Sequence, residues 1–185
     1  MPDITKIDKN LAVQSDSADD TVYYDVTKEP FGIFGVMKPD DSDKFRRMPA
    51  DIAKRVNEGV EMLHSNTAGG RIRFRTDSPY ISIKVQMPSV CRFPHMPLTG
   101  TSGFDIYRVS GGEQIYLSSF VPPYEMSDGY TSSRGTGDRE CESDYIINMP
   151  LYNDVSKLFV GIKKGSSLKK SVSEYKPGLP IVYYG

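Results

Sequence analysis

The fold is decided by one stretch, Gly103-Phe104-Asp105-Ile106-Tyr107-Arg108-Val109-Ser110-Gly111-Gly112-Glu113-Gln114-Ile115-Tyr116-Leu117-Ser118-Ser119-Phe120. Apolar and polar residues alternate on both sides of the Gly111-Gly112 pair, which is the pattern of two antiparallel strands joined by a tight turn. Glycine at both central positions allows the positive φ angles that such a turn requires. The stretch therefore predicts a β-hairpin.

Counting outward from a two-residue turn gives the register of this hairpin. It pairs Tyr107 with Tyr116, and Asp105 with Ser118. Because successive side chains of a strand point to opposite faces, these four residues share one amphipathic face. The opposite, apolar face holds Phe104, Ile106, Ile115 and Leu117. A slip of one residue would move the apolar set into water, so we expect this register to be well determined.

Composition places the rest of the chain in the same structural class. The 185 residues include 13 prolines and 16 glycines, which divide the sequence into the short segments typical of all-β proteins. The 23 basic and 24 acidic residues give a net charge of −1. This balance implies neither an extended nucleic-acid surface nor a membrane-binding surface, so we expect no nucleic-acid partner and no membrane association.

Further segments repeat the alternation seen in the hairpin. Residues 71–75 and 80–87 carry apolar side chains on one side and basic side chains on the other, and the turn residues between them predict a second hairpin. The other predicted strands cover residues 21–27, 31–36, 60–64, 144–150 and 157–163. Only residues 49–57 predict a helix, which is short enough to cap the end of a sandwich or barrel.

Two long segments without periodicity flank the central hairpin. Residues 88–102 enter it and residues 121–141 leave it, and loops of this length in a compact domain are often functional. We expect both at the open end of the hairpin, which would bring Cys91 and Cys141 close together. No CxxC motif accompanies these cysteines, so free thiols or a single bridge are the two interpretations, and a zinc site is not indicated.

The two ends of the chain differ from its middle. Residues 1–20 are polar and acidic and predict a flexible N-terminal segment, whereas residues 21–166 hold the predicted sheets. Residues 167–178 have the composition of a linker, and residues 179–185 return to an apolar, β-branched run. No signal-peptide pattern opens the chain, so we expect a cytoplasmic location by default, while export of a longer parent protein stays open.

Three separated motifs resemble one family in the same order. Gly103-Phe104-Asp105-Ile106-Tyr107 resembles the Gly-x-Asp-Leu-Tyr signature of the domain that precedes SGNH-type (GDSL-like) esterases, with isoleucine in the leucine position. The stretch Ala68-Gly69-Gly70-Arg71-Ile72-Arg73-Phe74-Arg75-Thr76-Asp77-Ser78 is also similar to that family. Leu179-Pro180-Ile181-Val182-Tyr183-Tyr184-Gly185 resembles the first strand of the hydrolase domain, before its nucleophile turn. The resemblance spans roughly residues 21–185.

The resemblance implies that the chemistry lies outside this chain. In the family, the nucleophilic serine, the oxyanion-hole donors and the Asp/His pair belong to the following domain, whose first strand would be residues 179–185. The family's N-terminal domain is a jelly-roll sandwich, which agrees with the strands above. We therefore predict an all-β fold, a jelly-roll-like antiparallel β-sandwich with one short helix.

The chain itself offers little for hydrolysis or metal binding. His64 and His95 are its only histidines, and no Gly-x-Ser-x-Gly elbow precedes either of them. The acidic cluster at 138–144 could bind calcium, but it lacks ligand spacing and a solvated loop is the favoured interpretation. We predict no catalytic residue, no metal ligand and no cofactor.

Two groups of side chains are candidates for an interface or for sugar contact. Arg71 and Arg73, in a row with Arg75 and Lys84, could hold a carboxylate or phosphate, or could form an outward face paired with acids. Asp105, Tyr107 and Tyr116 could pair among neighbours across the strands, or could form a platform on which a sugar stacks.

Three functions compete at this level. The first is a non-catalytic accessory domain that packs against an SGNH hydrolase domain in the parent chain and shapes its cleft, with acylated carbohydrate as one substrate class. The second is a free-standing carbohydrate-binding module. The third is a docking domain that self-associates through residues 179–185, whose apolar strand would pair with an exposed sheet edge.

Overall fold

The computed structural model describes residues 20–40, 42–137, 141–173 and 175. Its strands are β1 (Thr21–Asp25), β2 (Gly32–Phe34), β3 (Arg71–Thr76), β4 (Tyr80–Gln86), β5 (Phe104–Ser110), β6 (Glu113–Phe120), β7 (Gly129–Gly135), β8 (Ser143–Asn148), β9 (Lys157–Lys163) and β10 (Leu168–Lys169). Its helices are α1 (Ala50–Val56), α2 (Glu58–Leu63) and α3 (Leu98–Ser102). The predicted all-β class is therefore confirmed.

The strands form two antiparallel sheets. The four-stranded sheet has the order β1-β9-β4-β7, and the six-stranded sheet has the order β10-β3-β8-β5-β6, with β2 pairing beside β10 on the same edge of β3. The chain crosses between the sheets from β3 to β4, from β4 to β5 and again at each step from β6 to β10. The two sheets make the predicted antiparallel β-sandwich, and the jelly-roll-like path stays a prediction.

One hydrophobic core lies between the sheets. The six-stranded sheet contributes fully buried Phe74, Phe104 and Ile147, and the four-stranded sheet contributes Ile83 and Val160. Burying side chains of this size stabilises the fold by about 1.5–3 kcal/mol each before chain entropy is subtracted. The inward positions alternate along each strand, which leaves the odd-numbered residues of β3 and β5 on the outer face of the six-stranded sheet.

The central hairpin has the predicted turn but a different register beyond it. Tyr107 pairs with Tyr116 as expected, but a bulge between Ile106 and Tyr107 shifts the pairing, so Asp105 faces Ser119 and not Ser118. An extra residue in one strand of a pair cannot be found by counting from the turn. Ile115 is 39% exposed and not part of the core, a second departure from the predicted apolar face.

The predicted second hairpin is a corner between the two sheets. β3 and β4 are both present at the predicted places, but β3 lies in the six-stranded sheet and β4 in the four-stranded sheet. Ser78 fixes the corner, since its Oγ donates to the Tyr80 carbonyl at 2.5 Å and accepts the Lys163 N–H at 3.1 Å. Lys84 therefore lies on the opposite outer face from the arginines of β3, and the predicted row of four basic residues is wrong.

Helices are more numerous than predicted. α1 lies where the sequence indicated, but residues 58–63 form α2 where a strand over 60–64 was expected, and α3 was not predicted. The Asn57 side chain caps α2 by accepting the Val60 N–H at 2.9 Å. A run as short as Val60–His64 fits both the helical period of 3.6 residues and the strand period of 2, and the Asn57 cap favours the helix.

The two cysteines lie at opposite ends of the sandwich. The Cys91 N–H donates to Asn153 Oδ1 at 2.7 Å, and Asn153 also bonds the residues just before β5. Cys141 precedes β8, whose first residue pairs with Thr76 at the other end. β7, which was not predicted, carries the chain from one end of the sandwich to the other. The expected proximity of Cys91 and Cys141 is therefore wrong, and both thiols are free.

The predicted linker begins within the sandwich. Leu168 and Lys169 form β10 and pair with the last two residues of β3. Residues 1–19, the calcium candidates at 138–140 and the predicted hydrolase strand at 179–185 lie outside the described residues.

Candidate functional site

The outer face of the six-stranded sheet brings together all five residues singled out from the sequence. Pairing across β3, β8, β5 and β6 aligns two rows on this face. The first row is Arg71, Asn148, Asp105 and Ser119, and the second is Arg73, Ile146, Tyr107 and Tyr116. β2 extends the rows, because Phe34 faces Arg71 and Gly32 faces Arg73. The candidate site is therefore one continuous surface, with arginines at one end and tyrosines at the other.

The tyrosine end carries a chain of hydrogen bonds. Ser119 Oγ donates to Asp105 Oδ1 at 2.6 Å and lies 2.9 Å from the Tyr116 hydroxyl. The rings of Tyr107 and Tyr116 meet edge to face with centres 5.5 Å apart. Tyr116 remains 54% exposed, so its ring and hydroxyl are accessible. The cross-strand pairing is present, and it also leaves an aromatic surface beside a carboxylate.

Arg75 is fully engaged by acids. It forms ion pairs with Glu142 and Asp144, both at 3.3 Å, and Lys169 forms a further pair with Glu142 at 2.5 Å. The ion pair with Lys169 is the main cause that lowers the pKa of the Glu142 carboxyl to about 2. At this position the outward face is paired with acids, and no free anion site remains.

Arg73 has a different environment on the same strand. It is only 5% exposed, its guanidinium carbon lies 4.5 Å from the ring centre of Tyr175 and 5.8 Å from that of Phe34. Its Nε is buried, and the Nε–H has no hydrogen-bond acceptor within the described part of the chain. Neighbouring Arg71 donates to the Tyr175 hydroxyl at 3.5 Å. The arginine end of the face is thus organised around aromatic rings.

The segment after β10 covers this end of the face. The Val172 N–H donates to Asp144 Oδ1 at 3.0 Å, and the chain then reaches Tyr175 above β2 and β3. A cleft of about 270 Å³ lies beneath it. The cleft is lined by Gly32, Phe34, Arg73, Lys170, Ser171, Ser173 and Tyr175.

Sequence reasoning missed the middle of the face. Ile146 points outward yet is only 1% exposed, and Asn148 has a buried Oδ1 without a hydrogen-bond partner among the described residues. The alternation of β8 with β3 carried this signal, because residues opposite Arg71 and Arg73 must share their face. Tyr175 could not be placed, since its segment has no periodicity.

The histidines lie elsewhere. His64 Nδ1 is 2.6 Å from the Glu61 carbonyl oxygen at the end of α2, and His95 stacks on Phe93 with ring centres 5.5 Å apart. Within residues 20–40, 42–137, 141–173 and 175, no cluster of three or more His, Cys, Asp or Glu side chains is arranged to hold a metal ion. No helix in those ranges has the length and hydropathy needed to span a bilayer.

A family model matches most of the sandwich. Residues 21–168 match the model GxDLY, described as the N-terminus of esterases of the SGNH hydrolase type. Of the motif residues, Gly103 immediately precedes β5, and Asp105 and Tyr107 lie in β5 at the tyrosine end of the outer face. No curated protein matches the chain in a sequence comparison.

Solved structures share the fold over most of this chain. A GDSL-like lipase from Bacteroides ovatus superposes with a TM-score of 0.73 at 19% identity, covering 84% of this chain and 44% of its own. The salicylyl-acyltransferase SsfX3 from a tetracycline biosynthetic pathway gives a TM-score of 0.62 at 17% identity, covering 85% of this chain and 44% of its own. This chain thus spans less than half the length of either protein.

Proposed function

This chain belongs to the GxDLY family, the N-terminus of SGNH-hydrolase-type esterases, and from that premise we propose that it is a non-catalytic accessory domain. It would pack against an SGNH hydrolase domain of a longer parent and shape the cleft in which an acyl ester is hydrolysed. An acylated carbohydrate is one substrate class that the tyrosine end of the outer face would suit.

The path of the chain after β10 is the observation that supports this proposal. The segment crosses the outer face of the six-stranded sheet and reaches Tyr175, beside Arg71. A hydrolase domain that begins with residues 179–185 would be tethered four residues later, a span of at most about 14 Å. The same face carries Asp105, Tyr107 and Tyr116, so we propose it as the surface that meets the hydrolase domain.

Comparison of two proteins tests the accessory role. We expect residues 1–185 alone to show no turnover of nitrophenyl acetate or of an acetylated sugar, and the parent chain with its hydrolase domain to hydrolyse both. Robust hydrolysis by residues 1–185 would overturn the proposal.

Variants of the parent chain test the proposed surface. Tyr116→Ala removes an exposed ring of this face, and we expect it to raise KM or weaken domain packing while the hydrolase domain stays folded. Lys84→Ala removes an exposed side chain from the opposite face and serves as the matched control. Equal kinetics for both variants and the parent would show that the outer face takes no part.

A free-standing carbohydrate-binding module is the second candidate. It is favoured by the exposed Tyr116 ring next to the Asp105–Ser119 hydrogen bond, since sugars stack on aromatic rings and donate hydroxyls to carboxylates. Titration of oligosaccharides into the labelled domain should then give saturable amide shifts at Tyr107 and Tyr116. No shift across a broad glycan panel would eliminate this function.

Self-association through residues 179–185 stays a prediction of the sequence. We propose to test it by light scattering of the chain with and without residues 178–185. A monomer in both cases would remove it.

A further inference from the structure

Among the described residues, Arg73 has no counter-charge of the kind that a buried guanidinium ordinarily has. Only 5% of its surface is exposed, and within the described ranges it forms neither a hydrogen bond nor an ion pair. Arg75, two residues further along β3, is paired with two carboxylates. Because an unpaired buried charge is strongly unfavourable, this contrast indicates that a negatively charged group belongs next to Arg73.

The cleft beside Arg73 has room and polarity for such a group. Its volume is about 270 Å³, and Lys170 adds a second positive charge at its wall. Ser171 and Ser173, whose hydroxyl oxygens lie 2.8 Å apart, supply further donors. No aspartate or glutamate is among the described residues that line it.

Stacking defines the chemistry of the ligand. The Tyr175 and Phe34 rings pack on the guanidinium, with their own centres 5.1 Å apart. Rings occupy the faces of a guanidinium, whereas its paired N–H groups donate within its plane. A planar carboxylate accepts such a pair of parallel hydrogen bonds and fits beside flat rings.

We propose that the Arg73 cleft binds a carboxylate group. Arg73 would hold both oxygens, with Lys170 and the two serines as supporting donors. The carboxylate would come from a separate acid. The inference goes beyond the accessory role and does not depend on an attached hydrolase domain.

Direct observation of the arginine tests the site. The Arg73 Nε–H resonance of the ¹⁵N-labelled chain is followed while sodium acetate replaces sodium chloride at constant ionic strength. We expect a saturable shift of this resonance and of the Ser171 and Ser173 amides. Arg73→Lys keeps the charge but loses the two parallel N–H donors of the guanidinium, so acetate should bind this variant about tenfold more weakly. Lys84→Gln, on the opposite face, should bind like the parent.

Two outcomes would overturn the proposal. One is failure of acetate to move the Arg73 resonance, and the other is tighter binding of inorganic phosphate than of acetate. Because the resonance is read in the unmodified chain, the test stands even if Arg73→Lys does not fold.

Discussion

Replacing Arg73 by methionine should make the domain more stable. Burial of an unpaired charge costs several kcal/mol even after the surroundings relax. The rings of Tyr175 and Phe34, at 4.5 and 5.8 Å, offset part of this cost. Cation–π contacts of this kind are worth about 0.5–2 kcal/mol. Methionine keeps the apolar contacts and removes the charge, so we expect Arg73→Met to raise the free energy of unfolding by about 1–3 kcal/mol.

Urea unfolding followed by far-UV circular dichroism measures this change, since the chain has no tryptophan. The midpoint should rise while the slope m stays constant, because the surface exposed on unfolding is the same. Lys84→Met removes an exposed charge from the opposite face and should change stability by less than about 0.5 kcal/mol. A loss of about 1 kcal/mol or more for Arg73→Met, with m unchanged, would refute the reasoning and show that Arg73 is paired in solution.

Acetate provides a further check on the same variant. A ligand that binds only the folded state adds RT ln(1 + [L]/Kd) to the stability, about 1.4 kcal/mol at ten times Kd. The unmodified chain should therefore gain stability in acetate relative to chloride, and Arg73→Met should not. An equal gain in both proteins would place the acetate effect elsewhere.

Three other changes follow from the structure. Asn153→Ala should lower the free energy of unfolding by about 2–4 kcal/mol, since a buried side chain with three hydrogen bonds is lost. A loss below about 1 kcal/mol, measured by urea unfolding, would contradict this prediction. Gly129→Ala should lower Tm, because φ is +148° and a Cβ would lie 2.1 Å from a β4 carbonyl oxygen. Gly135→Ala, with open space around the added Cβ, should lower Tm far less. Equal Tm values for the two variants would show that β7 adapts to the added methyl group. The pKa of Glu142, lowered to about 2 chiefly by Lys169, gives stability that is full above about pH 4.5 and lost as the pH falls toward 2. Glu142→Gln should flatten the profile of Tm between pH 6 and 2, and an unchanged slope would exclude this carboxyl as its cause.

The sequence predicted the parts of the fold that have a clear period. The strands around Phe74, Ile83 and Val160 alternate over five or more residues, and their inward positions are the core. β7 was missed because Gly129–Gly135 has glycine at both ends and only one large apolar side chain, the buried Tyr130, so it shows no apolar alternation. The pairing of β3 and β4 was misjudged because a three-residue connection can close a hairpin or turn a corner between sheets.

The candidate site was predictable only in part. Alternation correctly put Arg73, Tyr107 and Asp105 on outward positions, and the observed rows place them on one face. The burial of Arg73 depends on Tyr175, which comes from a segment without period about a hundred residues later. Local pattern cannot report a contact of that range, so only the structure distinguishes Arg73 from the paired Arg75.

The bulge opposite Tyr107 has a consequence for assembly. β6 is an edge strand of its sheet, and a long, regular edge strand can pair with further chains and start a fibril. An extra residue twists an edge strand and interrupts the even spacing of its backbone N–H and C=O groups. Arg134 Nε also donates a hydrogen bond of 2.7 Å to the Ser119 carbonyl oxygen, so this edge acceptor is already paired. The β-bulge therefore disfavours edge-to-edge pairing of neighbouring molecules along β6.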